Sequence, residues 1–500
     1  MAGGARLLPA VIVVALIVWG APLQAGVAAA QPQFNLYPEE IEGDYFEVGM
    51  SISLSGGLAD YGAEALCAIK AMIDWINDRG GIFIKGQRYY VRLVYADDGS
   101  DPSRALEIYK ALYGRGVDIF LSPLEAPMTS RVLEDFLSQE DVDAVMFLWG
   151  ATTERVILEN KDKIVGVIEP PIRYIEGALH VASLLEEGAR IVVVHDRSRL
   201  WSAAAAPAQR IAGDYGVEVV GRVSYSIETI DGDVDLIVST VEREKPDILL
   251  IVGDEEGVAE LVKRLYGKVS VKLVMIAGAG STQAFQLIVG PIASQDILVV
   301  VDWVPKGSHT VDEAQEFGLP WFGPNYEVFR RYMSEKCPAI EPSYIAARAG
   351  VTLIYLAYVM SKANTFDPAK IRETALSEGV LTFYAPIVID PFTSISSARV
   401  HRVAQWDQGK LKYLGEFHID YSAFQPGQVN YPSRAWYKGE VAGEGETVDV
   451  GAAQRPQQEE QQAPQQVGGT GGGAPSSLLL GAAIIIVLAA AGLLLARRKG

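Results

Sequence analysis

Residues 46–62 read Phe46-Glu47-Val48-Gly49-Met50-Ser51-Ile52-Ser53-Leu54-Ser55-Gly56-Gly57-Leu58-Ala59-Asp60-Tyr61-Gly62, and this pattern decides the class of fold. Phe46, Val48, Met50, Ile52 and Leu54 alternate with Glu47, Gly49, Ser51 and Ser53, the period-2 signature of a strand. The glycine-rich loop Ser55–Gly62 then leads into Ala63–Asp78, where Leu66, Ile69, Met72, Ile73 and Ile76 recur at helical spacing. Gly80-Gly81 closes that helix, because glycine accepts the left-handed C-terminal conformation. A second strand, Tyr89–Tyr95, delivers Asp97-Asp98 to a turn, and Asp101-Pro102 predicts an N-cap with proline at the first helical position. The unit is a βαβ start.

The order of these features resembles the substrate-binding proteins of ABC importers, specifically the branched-chain amino-acid (Leu/Ile/Val) binding family. The residues that carry the resemblance are Val48-Gly49, Ser55-Gly56, Tyr61-Gly62, Ala71 through Asn77, Gly80-Gly81, Tyr95-Ala96-Asp97-Asp98 and Asp101-Pro102. It covers about Phe46 to Phe417. It implies the type I periplasmic-binding-protein fold, in which two Rossmann-like lobes with mainly parallel sheets are joined by a three-segment hinge.

Both ends carry apolar segments that are set apart from the globular body. Arg6 precedes the apolar run Leu7–Trp19, and small residues follow at Ala28-Ala29-Ala30, so residues 1–30 read as a signal peptide. Leu478–Ala496 carries no charge and is long enough as a helix to cross a hydrocarbon core of roughly 30 Å. Arg497-Arg498-Lys499 follows, and the positive-inside bias places it in the cytoplasm. Residues 451–475, rich in Gln, Pro, Gly and Ala, bury too little apolar surface to offset ordering entropy and read as a flexible linker. The expected location is the outer face of the cytoplasmic membrane, anchored by the C-terminal helix.

The body between these ends is too long for one ordinary core and suits two lobes. A formal net charge of −19 argues against nucleic acid as a partner. Strands are expected at Val117–Leu121, Ala144–Trp149, Arg190–Val194, Val217–Val223, Asp247–Val252, Val271–Ile276 and Ile297–Val304. Helices are expected at Asn325–Ser334, Ser343–Lys362 and Pro368–Gly379, with a further strand at Ala385–Asp390 and a closing pair at Arg399–Trp406 and Lys410–Phe417. Glu169-Pro170-Pro171 breaks the alternation and marks the first crossing. The resulting division is 44–168 and 301–397 for lobe 1, and 172–300 and 398–420 for lobe 2. Cys67 and Cys337 leave two readings open: export permits a disulfide and the resemblance puts both in one lobe, whereas a helix-interior cysteine is commonly a small buried hydrophobe.

No His-Glu-x-x-His, nucleophile elbow or phosphate-cradling glycine loop is present, and Gly278-Ala279-Gly280 does not complete a dinucleotide fingerprint, so neither an enzyme nor a cofactor or metal is expected. His195-Asp196 reads as a structural turn. The family resemblance implies instead that lobe 1 holds a ligand carboxylate through hydroxyls and backbone N–H groups at strand-end turns. Gly150 and Thr152 match one such turn. The other departs from the family, because Ala126 offers only its N–H; Thr129 could compensate, while Glu125 would repel a carboxylate. Tyr61 matches the family's aromatic position. In lobe 2, Trp201 or Leu200 fills the place of the family's tyrosine, and the glutamate that pairs with the ligand ammonium in the family would fall near Ala279. Asp254 and Glu255 could supply the displaced negative charge, or could simply be acids at a helix start. The expected function is capture of a small polar ligand, an amino acid, amide or small carboxylate, for delivery to an ABC permease. The alternative is a sensor ectodomain acting with a separate membrane partner.

Overall fold

The computed structural model describes residues 32–438 except 151, 398–399 and 419–420. The expected signal peptide, linker and C-terminal membrane helix lie outside these residues. The first sheet contains β1 (Asn35–Tyr37), β2 (Tyr45–Ile52), β3 (Ile82–Ile84), β4 (Gln87–Asp97), β5 (Ile119–Leu121), β6 (Val145–Leu148) and β7 (Ile164–Gly166). Their order is β1-β4-β2-β5-β6-β7 with β3 paired to β4, and β4, β2, β5, β6 and β7 run parallel. The second sheet begins with β8 (Arg190–Asp196), β9 (Glu218–Tyr225), β10 (Ile248–Val252), β11 (Leu273–Ala277) and β12 (Leu298–Val301), again parallel. Inner strands such as Ile248–Val252 and Leu298–Val301 are continuous Val, Ile and Leu runs because helices cover both faces of a parallel sheet. The two lobes are therefore α/β, as the βαβ pattern requires.

The strand expected at Ala385–Asp390 is corrected. Only β14 (Pro386–Ile387) forms there, pairing with β13 (Val380–Leu381) in a separate two-stranded ladder. Pro386 has no N–H to donate, which disfavours a place inside a sheet. The closing pair, β15 (His401–Asp407) and β16 (Lys410–His418), joins the second sheet antiparallel to β12, and β17 (Tyr421–Ser422) extends its edge. Residues beyond the expected end of lobe 2 also belong to it: Trp436 is buried in its core, the Ser433 N–H donates to the Lys272 carbonyl, and the Val271 N–H donates to the Trp436 carbonyl.

Three segments carry the chain between the sheets, after β7, after β12 and before β15. A polar cluster knits them together. Asp302, just after β12, accepts from Arg348 Nη2 at 2.6 Å and from Tyr174 Oη at 3.3 Å. The fully buried Arg402 donates to the carbonyls of Asp302, Gly307 and Tyr384. Buried charge of this kind is tolerated only where its hydrogen-bonding capacity is met.

The first-lobe core is centred on two helices, Ala59–Asn77 and Tyr344–Ala363. The latter is, among the described residues, the one helix long and apolar enough to cross a membrane, but its side chains are packed inside this core. The two cysteines, left open above, are joined. The Cys67–Cys337 disulfide fastens the Ala59–Asn77 helix to the end of the Tyr326–Lys336 helix across a sequence separation of 270.

Candidate ligand-binding site

The strand ends converge on a cleft between the lobes, and local chemistry holds its first wall in shape. Asp97, at the end of β4, accepts from the N–H groups of Leu54, Ser55 and Gly99 and from the Ser55 hydroxyl. Burial acts to raise its pKa, yet the Ser55 hydroxyl and these amides hold the carboxyl below its ordinary range. Asp98 is fully buried and accepts from Ser53 Oγ at 2.7 Å and the Ser100 N–H at 2.9 Å. The acidic pair thus pins the glycine-rich loop. Gly62 is demanded by a close approach, since a Cβ there would lie 1.7 Å from the Ser53 carbonyl oxygen. The loop in turn presents Tyr61 to the cleft.

The cleft encloses about 340 Å³. Lobe 1 contributes Tyr61, Leu124, Glu125 and Met128, with Tyr344 and Arg348 from the first turns of the Tyr344–Ala363 helix. The first crossing adds Pro171, and the opening turn of the Ile172–Leu185 helix that follows it adds Tyr174. Lobe 2 contributes Asp196 at the end of β8 and Trp201 beyond it, Asp254, Glu255 and Glu256 after β10, and Gly278 after β11. Ligand sites of open α/β sheets form at these carboxyl ends of strands.

Carboxylates dominate the lining. Burial, then the nearby Asp254, pushes the Glu125 carboxyl up to about 8, against the opposing pull of the Ala126 N–H and Arg348. The Asp254 carboxyl, open to cavity water but walled by protein, is also raised by desolvation, although the Trp201 indole N–H donates to it at 2.8 Å. Burial, then Glu255, Glu256, Glu125 and Asp254, raises the Tyr61 hydroxyl. Arg348 is the cationic side chain of this lining, and Asp302 balances it.

Four of the eight residues singled out from the sequence line this cleft: Tyr61, Trp201, Asp254 and Glu255. The other four are placed differently. Ala126, expected to offer its N–H to a ligand carboxylate, opens the Ala126–Val132 helix, and its methyl packs into the lobe 2 core. Thr129 is fully buried and donates to the Pro123 carbonyl. Thr152 is buried with Oγ1 2.8 Å from Ser130 Oγ. Gly150 lies against the chain at Pro123 and Leu124, where a Cβ would sit 2.0 Å from the Pro123 carbonyl oxygen. The signature of this turn is therefore satisfied by internal packing.

Glu255 also differs from the expected free charge. Its carboxylate accepts from the N–H groups of Gly280 and Thr282, from Thr282 Oγ1 at 2.5 Å and from Tyr344 Oη at 3.4 Å. It bridges two strand-end turns of lobe 2 to lobe 1. Sequence reasoning missed Tyr174, Tyr344, Arg348 and the inward aim of Glu125. An arginine in the opening turns of an otherwise apolar helix was the available signal for Arg348, since such a charge must find a buried partner.

The family model for periplasmic binding proteins matches residues 46–410. The chain belongs to the periplasmic binding protein family. Membership makes it a binding protein rather than an enzyme, and the fold is shared with solved substrate-binding proteins of branched-chain amino-acid ABC transporters. One is LivJ of Streptococcus pneumoniae in complex with isoleucine, 16% identical, with a TM-score of 0.59 over 74% of this chain and 98% of that one. Another is the leucine-binding protein LivK of Thermotoga maritima, 18% identical, with a TM-score of 0.57 over 75% and 99%. A third, a solute-binding protein of Rhodopseudomonas palustris in complex with 3,4-dihydroxybenzoic acid, is 13% identical with a TM-score of 0.58 over 77% and 99%. An uncharacterized protein of Methanocaldococcus jannaschii is 32% identical over 110 residues, and the matched segment spans 26% of that relative's length.

Proposed function

We propose that this family member is the extracytoplasmic solute-binding component of an ABC importer, taking a small polar ligand between its lobes and presenting it to a membrane permease. The observation that carries this reading is the cleft itself, which is lined from both lobes and from a crossing segment, so that one ligand touches all three. The Cys67–Cys337 disulfide supports an oxidising compartment, because such bonds persist outside the cytosol. With residues 1–30 read as a signal peptide and 478–496 as a membrane helix, the body stands on the outer face of the membrane, tethered by residues 451–475. Mass spectrometry of small molecules released by denaturing the purified chain tests the binding reading. Recovery of none, together with no thermal shift from a panel of amino acids, amides, amines and organic acids, would replace it with a protein-partner role.

A further inference from the structure

We propose that the cleft selects a small organic cation without a carboxylate, held between Glu125 of lobe 1 and Asp254 of lobe 2 and packed against the rings of Tyr61, Tyr174 and Trp201. The proposal rests on the solute-binding reading and names the charge of its ligand.

Three observations converge on it. First, the charge of the lining is one-sided. Glu125, Asp196, Asp254, Glu255 and Glu256 face a single cationic side chain, Arg348, whose Nε and Nη2 are held by Asp302 and whose Nη2 also donates to Tyr174 Oη. A ligand carboxylate would enter a field of like charge, whereas a cation is drawn in. Second, groups that would clamp a carboxylate are engaged elsewhere: Thr129 donates to the Pro123 carbonyl, Thr152 pairs with Ser130, and the Gly150 N–H donates to Ser122 Oγ. Third, the rings of Tyr61, Tyr174 and Trp201 line the same cavity as these carboxylates. Aromatic rings beside carboxylates are the setting in which ammonium groups are bound, through the negative ring faces.

Glu125 gives the proposal a pH signature. The groups acting on it are Asp254 and Asp196 of lobe 2, Arg348 and the Ala126 N–H, with Tyr61 alongside. Below about 8 a proton competes with the cation for this carboxyl. Affinity for a permanently charged cation therefore rises with pH and levels off above that value.

The test uses the purified full-length chain, with titration calorimetry and thermal shift against choline, butane-1,4-diamine and 4-aminobutylguanidine as cations, and isoleucine and 3,4-dihydroxybenzoate as comparison ligands. At least one cation is expected to bind, more tightly at pH 8 than at pH 6, and more weakly as NaCl is raised. Glu125→Gln and Asp254→Asn, which keep the shape of each side chain, are expected to weaken that binding by about tenfold or more each. The salt and pH dependences are read on the unmodified chain, so misfolding of a variant does not blunt the test. Binding of isoleucine or dihydroxybenzoate without any response to the cations overturns the assigned charge but leaves the solute-binding reading standing. Cation binding that ignores salt, pH and both substitutions overturns the assigned location. If no probe binds and nothing co-purifies, the solute-binding reading itself fails.

Discussion

Removing the Cys67–Cys337 bridge, by reductant or by the Cys67→Ala/Cys337→Ala double substitution, is expected to destabilise lobe 1 measurably. The bond closes a loop with a sequence separation of 270. In the chain-entropy description a loop of that size restricts the unfolded chain by about 5–6 kcal/mol, and native-state accommodation commonly reduces the realised value to about 2–5 kcal/mol. Unfolding entropy of about 2.1 cal/mol/K per residue gives roughly 0.85 kcal/mol/K for a body of this size, so the melting temperature should fall by about 2–6 °C. Cys67 is 2% exposed and lies in the helix at the centre of the lobe, while Cys337 is half-buried at its edge. The alanine pair therefore loses a little packing as well and should fall at the larger end. The assay is scanning calorimetry of the oxidised chain, the reduced chain and the double variant, with mass spectrometry after alkylation in the absence of reductant. Equal melting temperatures for oxidised and reduced chains, or two alkylated thiols without reductant, would refute the reasoning.

Other outcomes follow from single contacts. Glu255→Ala strands the N–H groups of Gly280 and Thr282, and should cost about 2–6 kcal/mol in urea unfolding, since each buried donor left unpaired costs about 1–3 kcal/mol. Glu255→Gln keeps one acceptor oxygen and should cost less. Burial raises the folded-state pKa of Glu255 above the ordinary 4.5, so the stability that carboxyl contributes is complete below its unfolded value and is lost as pH rises through the folded one; the deficit of the Gln variant should therefore narrow as pH increases. Thr152→Ala should leave ligand affinity within about twofold, because its hydroxyl is engaged with Ser130; a loss of tenfold or more would return this turn to the site. Protease added to intact cells should release a folded fragment ending between Ala452 and Pro475, exposed linkers being the preferred cleavage sites, and recovery only after lysis would contradict the proposed orientation.

The local elements were legible because short-range rules specify them. The Asp101 cap appears as read, its side chain accepting from the Arg104 N–H at 2.7 Å, and Gly80 and Gly81 take positive φ at the helix end. The helix they close begins four residues earlier than periodicity placed it, at Ala59, since the loop residues Ala59–Gly62 already form its first turn. Pro386 shows the limit on the strand side: an apolar run met the pattern, but a missing donor and its neighbours kept it out of the main sheet.

At the site the division is sharper. Sequence alone determined the βαβ order, the family resemblance, the strand ends where a ligand would sit, and the inclusion of Tyr61, Trp201, Asp254 and Glu255 among the candidates. It could not say which way a hydroxyl or carboxyl turns, because that depends on partners far away in the chain. Thr152 finds Ser130, Glu255 finds Thr282 and Tyr344, and Arg348 finds Asp302, separations of 22, 27, 89 and 46 residues. Tertiary structure alone decided that the groups suited to an anion are satisfied internally while Glu125 and Asp254 face the cleft. The physical reason is that a buried polar group must be paired wherever the fold happens to offer a partner, and motif spacing carries no record of those long-range pairings.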